Sequence, residues 1–147
     1  MALFKSKMCG GNLDLTEGSS IATCEYCGTT QTVPSADNEK KLALFNRANK
    51  LRSSCEFDKA FGVYEAIVAD FPEEAEAYWG LILSEYGVEY VEDTKTGKRI
   101  PTCHRTKVQS ITASVNYKQA LQYADAESKF IYQDEAEVLD KLQKNII

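Results

Sequence analysis

The stretch that decides the fold is "EFDKAFGVYEAIVADFP", residues 56–72. Its apolar residues recur at i, i+3, i+4 and i+7, the spacing that places side chains along one face of a helix. They are Phe57, Ala60, Phe61, Tyr64, Ile67, Val68 and Phe71. The sequence therefore predicts an amphipathic helix over about residues 56–70 that buries this face against neighbouring elements.

Helices are also predicted on both sides of this stretch. Residues 37–52 carry an apolar stripe, with Ser35 or Asp37 placed to cap the helix. Downstream, Pro72 suits the first turn of a third helix, and Gly87 suits its end.

The last part of the chain is predicted to be helical as well. One helix starts near Tyr117, and a second stripe follows a bend near Asp125. The predicted buried positions of that stripe are Ile131, Glu135, Val138, Leu142 and Ile146.

The middle of the chain fits a tetratricopeptide (TPR) repeat. Ala60, Tyr64 and Pro72 match the second-helix half of the repeat, and Ala48 falls where a small residue lets paired helices approach. A second half repeat starts at Ala75. The alternative interpretation is a simple helical hairpin, since helix pairs of this size are common.

Between the third and fourth helices, "VEYVEDTKTGKRIPT", residues 88–102, predicts a β-hairpin. Apolar residues flank a polar turn that contains Gly97. An irregular loop is the alternative.

The N-terminal third has a different character. "IATCEYCGTTQTV", residues 21–33, contains Cys24 and Cys27 in a C-x-x-C followed by Gly28, and "FKSKMCGGNLDL", residues 4–15, contains Cys9 followed by glycine. A C-x-x-C turn lets two sulfurs reach one zinc ion, and a glycine after the second cysteine frees the backbone to curl beneath it. Two such turns joined by short strands predict a zinc ribbon.

The fourth ligand position falls on Ser6. A hydroxyl is a poor zinc ligand at neutral pH because it stays protonated. Three outcomes remain open: zinc held by Cys9, Cys24 and Cys27 with water or Ser6, a fourth ligand from His104 or Cys103, or a metal-free ribbon. A thioredoxin-like redox site is excluded, because a turn and a strand follow Cys27 where that chemistry needs a helix.

Composition limits the class of function. A net charge of −5 argues against a nucleic-acid binder, and residues 1–35 hold two lysines against three acidic residues. No signal peptide or membrane-spanning run is present, and the cysteines suit metal or thiols in a reducing compartment, so we expect a cytoplasmic protein with no membrane partner. No catalytic constellation stands out, so we expect no enzymatic activity in these residues.

The predicted fold class is mainly α. A small β zinc ribbon spans residues 1–35, and a TPR-like helical domain with a hairpin insertion spans residues 36–147.

Four segments together carry a resemblance to a known family: "KMCGGNLDL…ATCEYCGTTQTVP", "EFDKAFGVYEAIV", "YWGLILSEYGVEYVED" and "KRIPTCHRT". They resemble the N-terminal region of bacterial proteins, common in Firmicutes, that join a zinc ribbon and TPR-like helices to a C-terminal Toll/interleukin-1 receptor (TIR) domain. The resemblance implies a zinc site of four cysteines, of which three carry over to Cys9, Cys24 and Cys27 and the fourth falls on Ser6. It also implies that any NAD cleavage or signalling assembly by a TIR domain lies outside these 147 residues.

Two functions follow as hypotheses. The first is a non-enzymatic adaptor, scaffold or regulatory module that contacts a protein partner or a second copy of itself. The alternative is a sensing module of a bacterial defence system, which binds a small molecule or a phage protein between the ribbon and the helices.

Overall fold

The chain is described by a computed structural model that covers residues 4–15, 19–26, 28–35, 38–96, 99–105 and 110–146, with the backbone alone at 144–146. Five helices dominate: α1 (Glu39–Ser53), α2 (Phe57–Asp70), α3 (Ala75–Glu85), α4 (Val115–Tyr123) and α5 (Ala126–Ile146). Six short strands form three antiparallel pairs: β1 (Phe4–Lys5) with β2 (Asn12–Leu13), β3 (Ile21–Thr23) with β4 (Thr30–Thr32), and β5 (Val88–Glu92) with β6 (Arg99–Cys103). The predicted mainly α class is confirmed. Within the described ranges, no helix combines the length and the apolar character needed to cross a bilayer.

The first four helices pack in chain order, α1 on α2, α2 on α3 and α3 on α4. The β5–β6 hairpin is inserted between α3 and α4, yet those two helices still pack against each other. The predicted pair of strands is confirmed, with Val88 opposite Cys103 and Glu92 opposite Arg99, and the predicted turn residue Gly97 lies outside the described residues. Helix α5 then contacts β4, β6 and the 3-10 turn Ile111–Ala113.

Helix α3 is the centre of the molecule, because nine of its eleven residues are buried. The ring of Trp79 lies 5.0 Å from the ring of Tyr132 of α5. Gly80 lets the side chain of Tyr64 in α2 approach, since a Cβ atom on Gly80 would lie 2.3 Å from the Tyr64 ring. The hydroxyl of Tyr64 is itself hydrogen-bonded to Asn49 of α1, so the ring has a fixed place.

Two predicted helix starts are wrong. Helix α1 is capped by Asn38, whose side chain accepts the amide of Lys41 at 3.0 Å, and the Ser35 hydroxyl instead donates to Glu74 at 2.9 Å. Asp37, the other predicted cap, lies outside the described residues. Helix α3 begins at Ala75 with Glu74 as its N-cap, three residues beyond the predicted Pro72 start.

The predicted stripe of the last helix is wrong by one position from Ile131 to Leu142, and the side chain of Ile146 lies outside the described residues. The bend near Asp125 is confirmed, but the buried face of α5 runs through Ser128, Tyr132, Ala136, Leu139 and Gln143. Two of these are polar: the Ser128 hydroxyl donates to the Ser20 carbonyl and the Gln143 amide to the Arg105 carbonyl. A polar side chain can be buried when it is hydrogen-bonded, as these two are. A pattern of apolar residues does not identify such positions, and so the sequence placed the buried face on the wrong residues.

A buried polar network joins the N-terminal hairpins to the helices. The Glu76 carboxylate of α3 accepts from the Thr32 hydroxyl at 2.7 Å and the Tyr132 hydroxyl at 2.8 Å, and it pairs with the Lys7 ammonium at 2.8 Å. All four residues are less than 5 % exposed. Burial, and then the adjacent Glu76 carboxylate, raises the pKa of Tyr132 well above its ordinary value, so its hydroxyl stays a donor.

We expect Glu76→Gln to lower the free energy of unfolding by about 3 kcal/mol, because it leaves the Lys7 ammonium buried without its counter-charge. Adding Lys7→Met should recover part of that loss. Urea unfolding measures both, with Glu65→Gln on the exposed face of α2 as the control. A loss in Glu76→Gln no larger than in Glu65→Gln would contradict the network's role.

Two glycines in helix interiors provide a matched test of the α2–α3 contact. Gly80→Ala should lower the free energy of unfolding by about 1–3 kcal/mol, because the new methyl group overlaps the Tyr64 ring. Gly62→Ala should raise it by up to about 1 kcal/mol, since nothing lies within 4 Å of its Cβ position and alanine is the better helix former. Equal effects of the two substitutions in urea unfolding would show that the helices are not packed this closely.

Candidate functional site

The two N-terminal hairpins end in turns with the same hydrogen bonds. In the first turn, the Ser6 amide donates to the Gly11 carbonyl at 2.8 Å, and the Gly10 amide donates to the Ser6 carbonyl at 2.9 Å. In the second turn, the Cys24 amide donates to the Thr29 carbonyl at 3.0 Å, and the Gly28 amide donates to the Cys24 carbonyl at 2.8 Å. Both glycines adopt left-handed backbone angles, with φ of 79° and 70°. Ser6 therefore occupies in one turn the position that Cys24 occupies in the other.

The two turns bring two of the predicted ligands together. The sulfur atoms of Cys9 and Cys24 lie 3.5 Å apart, and Cys24 is fully buried. Two thiolates on one tetrahedral zinc are about 3.8 Å apart, given Zn–S bonds of about 2.3 Å. A disulfide would need about 2.05 Å. The spacing suits a shared metal ion, and Cys27, the third predicted ligand, lies outside the described residues.

Ser6 is engaged by the protein itself. Its buried hydroxyl oxygen accepts the amides of Met8 at 3.2 Å and Cys9 at 3.3 Å, and the Gln31 side-chain amide at 3.1 Å. These three donors share the two lone pairs of the hydroxyl oxygen, which a metal ion would also need. Ser6 thus holds the turn by hydrogen bonds, and the described residues supply two thiolates toward a tetrahedral set of four ligands.

His104 and Cys103 lie elsewhere. The Nε2 atom of His104 is 2.8 Å from a Glu89 oxygen, and Cys103 is a half-buried residue of β6. Over the described ranges, no third cysteine, histidine or acidic residue completes a metal-binding group with Cys9 and Cys24.

A second group of ligand atoms lies where α1 ends against the hairpin. The side-chain donor atoms of Cys55, Glu89 and His104 all lie within 4.8 Å of one another. Sulfur, nitrogen and carboxylate donors in this combination suit a zinc-like ion with an open coordination position. Burial, and then the neighbouring Glu89 carboxylate, raises the pKa of the Cys55 thiol, so a metal ion would have to displace its proton.

The backbone at Cys55 is unusual. Cys55 has φ of 60°, at the position after the end of α1 that normally favours glycine. The Glu56 amide donates to Leu51 at 2.9 Å and the Cys55 amide to Arg52 at 2.9 Å, the paired bonds of a Schellman motif. Sequence reasoning missed this group because its three members come from a helix end and two strand regions. The only local signal is a cysteine at a helix end where glycine is expected.

A cleft of about 700 Å³ separates the first hairpin from the helices. Its walls are residues 5–10, residues 46–53 of α1, and the β5–β6 pair at Glu89, Tyr90 and Arg99. Sequence reasoning gave no sign of it, because its three walls are far apart along the chain.

The chain matches no protein-family model, no curated protein sequence and no solved structure.

Ser6→Cys should bind zinc at least about tenfold more tightly than the parent chain, because it adds a thiolate at the fourth ligand position. Changes to residues that merely surround metal ligands already alter metal affinity by about tenfold or more, so adding a ligand should have at least that effect. Zinc content by mass spectrometry and competition with a chromogenic chelator measure this. Thr112→Cys, which adds a thiol at an exposed position of the 3-10 turn, is the control. If Ser6→Cys and Thr112→Cys bind zinc equally, the Ser6 position is not a ligand position.

Proposed function

We propose that this chain is a non-enzymatic adaptor or regulatory module that engages a protein partner or a second copy of itself. The motif resemblance supports placing it in the N-terminal region of a bacterial TIR-type effector. Zinc held by Cys9, Cys24 and Cys27 would act as a structural clip on the ribbon, with Ser6 holding its turn by hydrogen bonds.

The order of helix packing supports a TPR-like body. Helices α1 and α2 form one packed pair, and α3 and α4 form a second pair that the hairpin interrupts. Ala48 and Ala60, the predicted small residues, are fully buried. Stacked helix pairs of this kind present extended surfaces to other proteins.

The observation that carries the proposal is the outer face of α5. Phe130 is 73 % exposed and Val138 is 41 % exposed, on the side away from Tyr132 and Leu139. Apolar side chains that stay exposed near one another on a helix face can mark a surface that contacts another protein. Burying a side chain such as Phe130 in an interface yields about 1.5–3 kcal/mol, and aromatic anchors of this kind dominate interface energies. Asp134 lies between them on the same face, so an interface here would have to hydrate or pair its carboxylate.

Of the two partners, a second copy of the chain can be tested directly, as self-association through α5. Sedimentation velocity over a wide range of concentration should show association of the parent chain, and the double substitution Phe130→Ser and Val138→Ser should weaken it about tenfold or more. Tyr26→Ser is the control, since Tyr26 is 71 % exposed in the second hairpin. A parent chain that stays monomeric throughout, or a double variant that associates as the parent does, would rule out this face as the interface.

A second candidate function, ligand sensing, is favoured by the cleft. It lies between the first hairpin and the helices, where a bound molecule would contact both. Ligand sites commonly occupy clefts of about 300–1,000 Å³.

A further inference from the structure

The cleft collects positive charge in an acidic chain. Six of the 17 basic residues line it, against one of the 22 acidic residues. The basic ones are Lys5, Lys7, Arg47, Lys50, Arg52 and Arg99. A concave site lined by one sign of charge attracts ions of the opposite sign.

Most of this charge is not neutralised by the protein. Lys7 pairs with Glu76, and the one acidic residue, Glu89, is engaged by His104. For the other five basic residues, no carboxylate of the described part of the chain lies within 4.0 Å of a charged nitrogen. The cleft therefore keeps a positive field available for a ligand.

Arg52 is the fixed element of the site. It is 1 % exposed, and its guanidinium donates to the carbonyls of Val88 at 3.2 Å and Lys7 at 2.9 Å. The Cζ atom of the Arg52 guanidinium lies 5.4 Å from the centre of the Tyr90 ring. Its Nε–H has no hydrogen-bond partner among the described residues. Arg52 therefore places a fixed positive charge in the cleft wall, and the more exposed basic residues are left to contact an anionic oxygen.

We propose that the cleft binds a small molecule of nucleotide size that carries phosphate groups. Arginine is suited to phosphate because its planar donors match the oxygen spacing. The cleft volume of about 700 Å³ holds a molecule of this size, and Met8, Tyr90 and the aliphatic stems of the basic residues offer contact to its remaining part. This inference rests on the sensing candidate and is independent of the α5 interface.

Calorimetric titration of the whole chain with ATP, at physiological salt and without divalent metal ions, tests the proposal. The double substitution Arg47→Glu and Lys50→Glu at the exposed rim of α1 should weaken binding about tenfold or more, since one hydrogen bond to a charged group is worth about that factor. The control is Lys118→Glu with Lys129→Glu, an equal change of net charge on exposed positions of α4 and α5. It should change affinity by less than about twofold, because salt screens distant charges.

Arg52→Met tests the fixed element, with circular dichroism as the check on folding. We expect a folded protein that has lost ATP binding. If this variant unfolds, the rim pair and its control still decide the question.

Four results would overturn the proposal: no ATP binding, equal binding of adenosine and ATP, equal weakening by the rim pair and the control, or binding of an oligo-glutamate peptide or an oligonucleotide in place of ATP. The sedimentation experiment separates this from the first proposed function. If the chain associates through Phe130 but does not bind ATP, only the ligand-sensing function is ruled out. If it binds ATP but stays monomeric, only the α5 interface is ruled out.

Discussion

The buried Glu76 carboxylate is the interaction on which the rest of the structure depends. One carboxylate of the central helix accepts from both N-terminal hairpins, through Lys7 and Thr32, and from the last helix, through Tyr132. A buried charge without its partners is strongly destabilising, so all of these elements must assemble together. Because apolar contacts are not directional and these hydrogen bonds are, the network fixes how the hairpins sit on the helices.

That arrangement has a consequence for function. The network anchors Lys7 to α3, and Arg52 of α1 bonds the Lys7 carbonyl, so the segment that forms one wall of the basic cleft is held from both helices. The thiol pair of Cys9 and Cys24 lies in the same N-terminal region. Ser6 and Cys9 themselves line the cleft, so the thiol pair and the cleft share one turn.

Ser6 shows how one residue can keep a fold while altering its chemistry. The turn around it has the same backbone hydrogen bonds as the turn around Cys24. The hydroxyl satisfies two amides and the Gln31 side chain, so the turn is held without a metal bond. The backbone of this turn therefore matches that of the C-x-x-C turn although a hydroxyl stands at its first position.

The sequence by itself determined the helices, since the stripes of α1 and α2 and the hairpin after Gly87 follow from local periodicity and turn residues. It also determined that Ser6, Cys9 and Cys24 belong to one pair of turns, because the spacing of cysteines and glycines is local. Only the tertiary structure decided which face of α5 is buried, since Ser128 and Gln143 depend on carbonyls from other elements. It alone brought together Cys55, Glu89 and His104, and it alone gathered Lys5, Arg52 and Arg99 into one cleft. Composition averages charge along the chain, whereas folding places distant residues side by side, so an acidic sequence can contain a basic site.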